Sequence, residues 1–373
     1  MAHSKNLEPY RIGIIQDWMI QNQPCFDQYD MTRMAFDEAY ESGLVDRPIE
    51  LVIREINGVP FGQMDAVVVA LRDLVEKEEC IGLIGPLLSD SAIACNKMID
   101  AYRIPSICYT ASINCASEYL YQLPNGTFPD EMGVVADYLQ RLGCKSVACL
   151  VEDNLIGKEY YQYFVENCER LKIKITATEV TPTFMSREDA VGMLYRLRQT
   201  NAESLCYLGY GAWLTQVVSD PEETFIKWGW NVPRVSGTTW IAVTCPGIFA
   251  PWPIKDAEGW AAIDSMHEDN KVFAAVLDRF AKRFDGRRPF HAYACLGYDI
   301  GNVFAVGLAR AKIKTRQGLK EALDSIRCLP AATGGPGTVI SFGPYDRRGL
   351  KGPDYLVLRT VKNGKEMAIP VER

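Results

Sequence analysis

Histidine is scarce in this chain: His3, His267 and His291 are the only three among 373 residues. None has a neighbour at ligand spacing, so a zinc site is not expected, and the placement is too scattered for an acid–base pair. No metal and no cofactor are therefore expected. A CxxC pair, a P-loop and a Gly-x-Ser-x-Gly elbow are also missing, which removes thioredoxin-like, P-loop and serine-hydrolase chemistry. Gly209-Tyr210-Gly211 follows an apolar run, but Leu214 stands where a dinucleotide loop needs its third glycine. Positive charge is in short supply as well. Lys and Arg number 40 against 47 Asp and Glu, a net charge of -7, so neither nucleic acid nor an anionic membrane is expected as the main partner. Arg287-Arg288 and Arg347-Arg348 read as solvated surface. No apolar run is long enough to span a bilayer, so no direct membrane insertion is expected.

Cysteine is plentiful. Twelve are present with no regular framework, as expected of small buried hydrophobes in a reducing compartment. Met1 to Pro9 is polar and carries no signal-peptide apolar region. The expected location is cytoplasmic as the sequence stands, or periplasmic if an export signal has been removed.

The length suits two α/β lobes. Strands are predicted at Arg11 to Gln16, Ile49 to Glu55, Ile81 to Ile84 and Ser106 to Cys108, with another near Tyr119 to Leu123. Helices over Phe26 to Glu41, Met64 to Glu78 and Ala92 to Tyr102 alternate with them. After the turn at Pro124-Asn125-Gly126 the pattern restarts. Helices at Pro129 to Leu142, Lys158 to Leu171, Arg187 to Gln199 and Ala212 to Trp228 alternate with strands at Ser146 to Val151, Lys174 to Val180, Ser204 to Leu208 and Arg234 to Ser236. Irregular chain from Thr244 to Pro253 leads into helices at Lys271 to Phe284, His291 to Ala311 and Arg316 to Ile326. A flexible passage, Pro330 to Gly337, precedes strand-like runs at Thr338 to Phe342 and Asp354 to Lys362. The expected fold class is therefore α/β: two Rossmann-like lobes with parallel sheets, joined by a three-segment hinge. The first lobe would comprise residues 1–122 and 264–330, the second 123–263 and 338–373, with 331–337 as the third crossing.

Parallel sheets of this kind bind ligands at the carboxyl ends of their strands. Gly85-Pro86-Leu87-Leu88-Ser89-Asp90-Ser91 ends one strand and opens a helix, so it should offer hydroxyls and free backbone N–H groups to a polar head. Ser89, Ser91, Thr110 and Ser112 all fall at or just beyond strand ends, as do the aromatic residues Trp18, Tyr109, Tyr210 and Trp240. Each alone could merely cap a helix or pack. Together they favour a binding cleft. Cys108 and Cys115 flank the Ser112 loop, but no base is placed to activate either thiol, so buried packing is expected and not catalysis.

Met34-Ala35-Phe36-Asp37-Glu38-Ala39, Arg47-Pro48-Ile49-Glu50-Leu51, Leu74-Val75 through Gly85-Pro86-Leu87-Leu88-Ser89, Ile104-Pro105-Ser106 through Ala111-Ser112, and Gly349-Leu350-Lys351-Gly352 together resemble the type I periplasmic binding proteins of the leucine/isoleucine/valine-binding branch. The resemblance runs nearly the whole length and implies a hinged, non-enzymatic receptor for a small molecule. It implies that Ser89, Thr110 and Ser112 hold a ligand's carboxylate and ammonium. In the second lobe Ile156 stands where the family has an aromatic residue, and Thr239 where it has the acidic partner of the ammonium. A carboxylate, an amide or an aromatic compound is therefore expected more than a free branched-chain amino acid. The expected role is solute binding for an ABC permease. The alternative is a cytoplasmic sensor that regulates gene expression through a protein partner, as amide-sensing regulators of this fold do.

Overall fold

A computed structural model describes residues 7–17, 23–57, 63–123, 126–183, 185–210, 225–238, 257–289 and 291–370. The chain forms two compact units, residues 1–125 with 265–351 and residues 126–264 with 352–373.

Unit 1 begins with β1 (Tyr10–Gln16), α1 (Gln23–Glu41), β2 (Ile49–Glu55), α2 (Met64–Glu76), β3 (Gly82–Ile84), α3 (Ser89–Ala101), β4 (Ser106–Cys108) and β5 (Leu120–Gln122). Its apolar strand runs pair in parallel in the order β2-β1-β3-β4-β5. The order reverses at β1, between β2 and β3, so the switch point of the sheet lies at the carboxyl ends of β1 and β3, where ligands of such folds bind. Val67, Leu71 and Leu74 form the apolar stripe of α2 and pack with Ile99 of α3 and Leu83 of β3. Burying each such side chain contributes about 1.5–3 kcal/mol. The later helices of the unit are α7 (Lys271–Arg283), α8 (His291–Arg310) and α9 (Arg316–Leu323). α8 lies close along α1, where the Thr32 hydroxyl donates to Gly297 O at 3.0 Å and a side chain at Gly297 would strike Gln28 O.

Unit 2 contains α4 (Phe128–Arg141), β6 (Ser146–Glu152), α5 (Leu155–Leu171), β7 (Lys174–Thr181), α6 (Arg187–Arg198), β8 (Leu205–Leu208), β9 (Arg234–Ser236) and β10 (Trp260–Asp264). It is completed by β13 (Val357–Lys362) and β14 (Lys365–Ala368), giving the order β14-β13-β10-β9-β8-β6-β7. Leu194, Leu205, Tyr207, Phe225 and Trp260 form its core. In β13, Arg359 is buried against Asp264 and donates to Glu366 at 2.7 Å.

Several sequence expectations change. The second sheet is mixed, because β13 pairs antiparallel with β10, and β14 folds back on β13. Asn363 and Gly364, with φ of 54° and 67°, supply the left-handed turn that such a hairpin needs. The strands β10 and β14 were not anticipated: β10 is a short, wholly buried apolar run without alternation, and periodicity cannot distinguish that from helix. Three helices begin three residues earlier than expected, α1 at Gln23, α3 at Ser89 and α5 at Leu155, where Asn154 accepts from Gly157 N at 2.8 Å as the N-cap.

The third boundary also moves. Residues 331–351 belong to unit 1, where β11 (Leu329–Pro330) and β12 (Val339–Ile340) pair with each other. Gln122 N donates to Arg347 O and Gly349 N to Gln122 O, tying this chain to the edge of β5. The passage expected to flex is clasped from two sides. Asn270 Nδ2 donates to the carbonyls of Ala331, Ala332 and Gly334, and the buried Asp299 accepts from Ala332 N and Thr333 N. Most of the helix expected at Ala212 to Trp228 lies outside the described residues, as does the Thr244 to Pro253 passage.

Candidate ligand site

At the switch point of unit 1, Gly85 leaves β3 with φ of 94° and leads through Pro86 into α3. Asp17, the first residue after β1, is fully buried, and its Oδ1 accepts from Leu87 N at 2.7 Å. Burial raises its carboxyl to about 6, while the Ser91 hydroxyl and the backbone of Leu87 and Leu88 favour the ionised form. The N–H groups anticipated as free at this helix terminus are thus partly taken by a carboxylate of the chain itself, and the site is less open to an anion than its sequence suggests.

The four predicted hydroxyls divide. Ser91 is turned inward, toward Asp17 and 3.6 Å from Met64 Sδ. Thr110 is held by Gln122 Nε2 at 2.9 Å and by the Cys108 thiol at 3.0 Å. Ser112 accepts from Asn114 N and so caps the short 3-10 turn Ile113–Cys115. The Ser89 hydroxyl makes no hydrogen bond to any described residue, and Leu88, the N-cap of α3, has no side chain that could cap it.

Gln122 organises this edge. Its single amide nitrogen donates to Thr110 O, Thr110 Oγ1 and Ser112 O, at 3.1, 2.9 and 2.9 Å. Cys108 donates to Tyr121 O, and burial pushes its thiol up to about 11. Cys115 donates to Ser89 O at 3.6 Å. Both thiols join loops as donors, and the raised Cys108 thiol lacks a thiolate's nucleophilicity. Tyr109 stays partly exposed beside them.

In unit 2 the carboxyl ends of the neighbouring strands β6, β8 and β9 are tied by buried acids. Glu152, at the end of β6, accepts from Tyr210 N at 3.0 Å, from Asn154 Nδ2 at 2.6 Å and from the Tyr207 hydroxyl. A side chain at Gly209 would collide with Glu152, so the strand end approaches the acid closely because it carries glycine there. Glu131, in the first turn of α4, accepts from the Tyr160 hydroxyl at 2.7 Å and from Thr238 N at 2.8 Å, and Thr238 Oγ1 lies 2.6 Å from its other oxygen. Burial raises Glu131 to about 7. Tyr210 and Ile156 are both buried, the latter in the first turn of α5. Trp18, Thr239 and Trp240 lie outside the described residues.

Sequence reasoning therefore gathers Ser89, Ser91, Thr110 and Ser112 at one edge and misses Asp17, Gln122, Glu131 and Glu152, which hold the loops. Among the described residues no cluster of His, Cys, Asp and Glu is arranged to hold a metal, and no helix is long and apolar enough to cross a membrane.

A family profile described as "Periplasmic binding protein" matches residues 29–364. The chain belongs to the periplasmic binding protein family. Solved structures share the fold at low identity. An ABC transporter substrate-binding protein from Desulfitobacterium hafniense, in complex with Leu, is 16% identical with a TM-score of 0.77, covering 97% of this chain and 100% of that one. The branched-chain amino acid transporter substrate-binding protein LivJ from Streptococcus pneumoniae, in complex with isoleucine, is 17% identical with a TM-score of 0.77, covering 97% and 99%. The leucine-binding protein LivK from Thermotoga maritima is 16% identical with a TM-score of 0.76, covering 96% and 97%. No curated protein is matched by sequence. As a periplasmic binding protein, the chain has the two-unit α/β architecture of the type I fold, with one parallel and one mixed sheet.

Proposed function

We propose that this periplasmic binding protein is a non-enzymatic receptor for a small organic ligand, serving an ABC uptake system. The observation that carries the reading is the Ser89 hydroxyl at the switch point of unit 1, which hydrogen-bonds to no described residue, beside loops that Gln122 and the Cys108 and Cys115 thiols hold in place. A hydroxyl with no partner among the described residues is a group left for a guest. The neutral, donor-rich edge and the buried Asp17 suit an amide, an aromatic compound or a carboxylate that also accepts hydrogen bonds. The relatives whose names mention leucine and isoleucine support the transport class, and their low identity leaves the ligand open. An ABC permease is the partner this reading implies.

A second reading has its own support. Among the described residues nine cysteines are buried and Cys328 is exposed, with no disulfide joining any of them to another. Such thiol content suits a reducing compartment and hence a cytoplasmic sensor that acts on a regulatory protein. Fractionation of the native host separates the two: a periplasmic pool excludes the sensor.

The ligand class is tested by calorimetry against short aliphatic amides, small carboxylates, aromatic acids and branched-chain amino acids. Binding confined to the branched-chain amino acids would overturn the proposed class. For whichever compound binds, Ser89→Ala should weaken affinity by about 1–3 kcal/mol, the worth of a lost hydrogen bond in a desolvated site. Unchanged affinity would remove Ser89 from the site.

A further inference from the structure

A buried polar cluster of unit 2 lies where the chain leaves β9, and its central group is Glu131. The carboxyl is fully buried. Its Oε2 faces the Tyr160 hydroxyl at 2.7 Å and Thr238 N at 2.8 Å, and its Oε1 faces Thr238 Oγ1 at 2.6 Å. Two glycines close the space around it. A side chain at Gly126 would come within 2.4 Å of Glu131 Cγ, and one at Gly237 within 2.7 Å of Glu131 Oε2 and the Tyr160 hydroxyl. Among the described residues no Lys, Arg or His reaches the carboxyl. The titratable groups that face it are Tyr160 on α5 and Asp130, its neighbour on α4, which opposes its ionisation. Thr238 is half-buried, so part of the residue is open to solvent while its hydroxyl faces the acid.

A hydroxyl has one proton and two lone pairs, so its role toward a carboxyl depends on which partner holds the proton. We propose that Glu131 and Thr238 form a proton-controlled polarity switch at the end of β9, in which the charge on Glu131 decides whether Thr238 offers an acceptor or a donor outward. With Glu131 ionised, Oε1 can only accept. The Thr238 O–H then points inward and presents a lone pair outward. When a solvent proton binds Oε1, the new O–H donates to Thr238 Oγ1, and the threonine's own proton turns outward. Thr238 N and Tyr160 continue to donate to Oε2 in both states, so the loop stays in place while its polarity reverses. The raised proton affinity of the buried acid, near 7, puts this exchange close to neutral pH. The switch makes Glu131 a positioning residue: it governs, through Thr238, which complementary group is welcome at the end of β9.

The test is an NMR titration of Thr238 in the ligand-free full chain, so its outcome is independent of the receptor reading above. The Thr238 amide and Cβ signals should titrate together with a midpoint near pH 7. Glu131→Gln places an amide N–H where the protonated acid has its O–H, and should hold Thr238 in its low-pH position at every pH. Tyr160→Phe removes a donor to the ionised form and should raise the midpoint by roughly one to two pH units. Absence of titration between pH 5.5 and 8.5 in the wild type would overturn the proposal. So would high-pH signals in the glutamine variant or an unmoved midpoint in Tyr160→Phe, and the last of these decides the matter should the glutamine variant fail to fold.

Discussion

The two units hold their strand ends by different chemistry. In unit 1 the loops beyond β3 and β4 are joined, among the described residues, mainly by neutral groups: the Gln122 amide and the Cys108 and Cys115 thiols as donors and the Ser112 hydroxyl as an acceptor, with Asp17 as the acid. In unit 2 the ends of β6, β8 and β9 are gathered by Glu152 and Glu131, each accepting several donors. A neutral donor lost from a network leaves an acceptor that can often find water. An acid lost from a buried network leaves several donors pointing at nothing. Unit 2 should therefore be the more brittle of the two, and its loops the more sensitive to pH.

The strongest way to break this contrast is Glu152→Ala. It removes the carboxylate partner of the buried Tyr210 N and Tyr207 hydroxyl, at about 1–3 kcal/mol for each group left unsatisfied, while the half-buried Asn154 Nδ2 keeps Thr183 Oγ1, so a total of roughly 2–5 kcal/mol is expected. Urea unfolding measures it, and a cost below about 1 kcal/mol would show that the acid is not the organiser of this edge. Gln122→Leu is the matched change in unit 1. Its three acceptors lie beside loops that can admit water, so about 1–3 kcal/mol is expected, together with faster amide exchange at Thr110 to Asn114. A larger loss than that of Glu152→Ala would reverse the ranking.

A finer distinction comes from pH. Glu131 is raised from 4.5 to about 7. A group whose pKa is higher in the folded state adds stability that is complete below its unfolded value and lost as pH rises through its folded one. Glu131→Gln, which imitates the protonated form, should match the wild type below about pH 4.5 and become the more stable protein above pH 7, as read from urea midpoints. Midpoints that separate in acid and converge at pH 8 would refute the sign. Asp17 and Asp299, each raised from 3.8 to about 6, give unit 1 the same trend at lower pH.

What could be read from the sequence follows the same divide. Ser89, Thr110 and Ser112 announce themselves because hydroxyls after short apolar strands have few other uses, and the local pattern around Gly85-Pro86 carries the family. Glu131 and Glu152 give no such signal. One sits in a helix's first turn, where an acid is an ordinary dipole partner, and the other ends a strand beside Asp153, where it reads as surface. Their burial arises only when β6, β8 and β9 come together and Gly209 and Gly237 let the backbone close in. Gln122 is hidden for the same reason, since its three acceptors lie 10 and 12 residues back along the chain. The strand β10 was lost because a buried strand has no alternation, and the third boundary because a glycine-rich passage reads as a hinge until Asn270 and Asp299 are seen to clasp it.

The place of β13 has a consequence for how the protein is made. β10 is a buried strand, parallel to β9, whose outer edge is covered, among the described residues, by β13 and the turn that follows it. During synthesis that edge, with its unpaired backbone groups, stays open while the whole of α7, α8 and α9 is still being translated. A nascent chain that carries an exposed strand edge for so long is a template for pairing with its neighbours, and a client for any chaperone that recognises extended apolar chain.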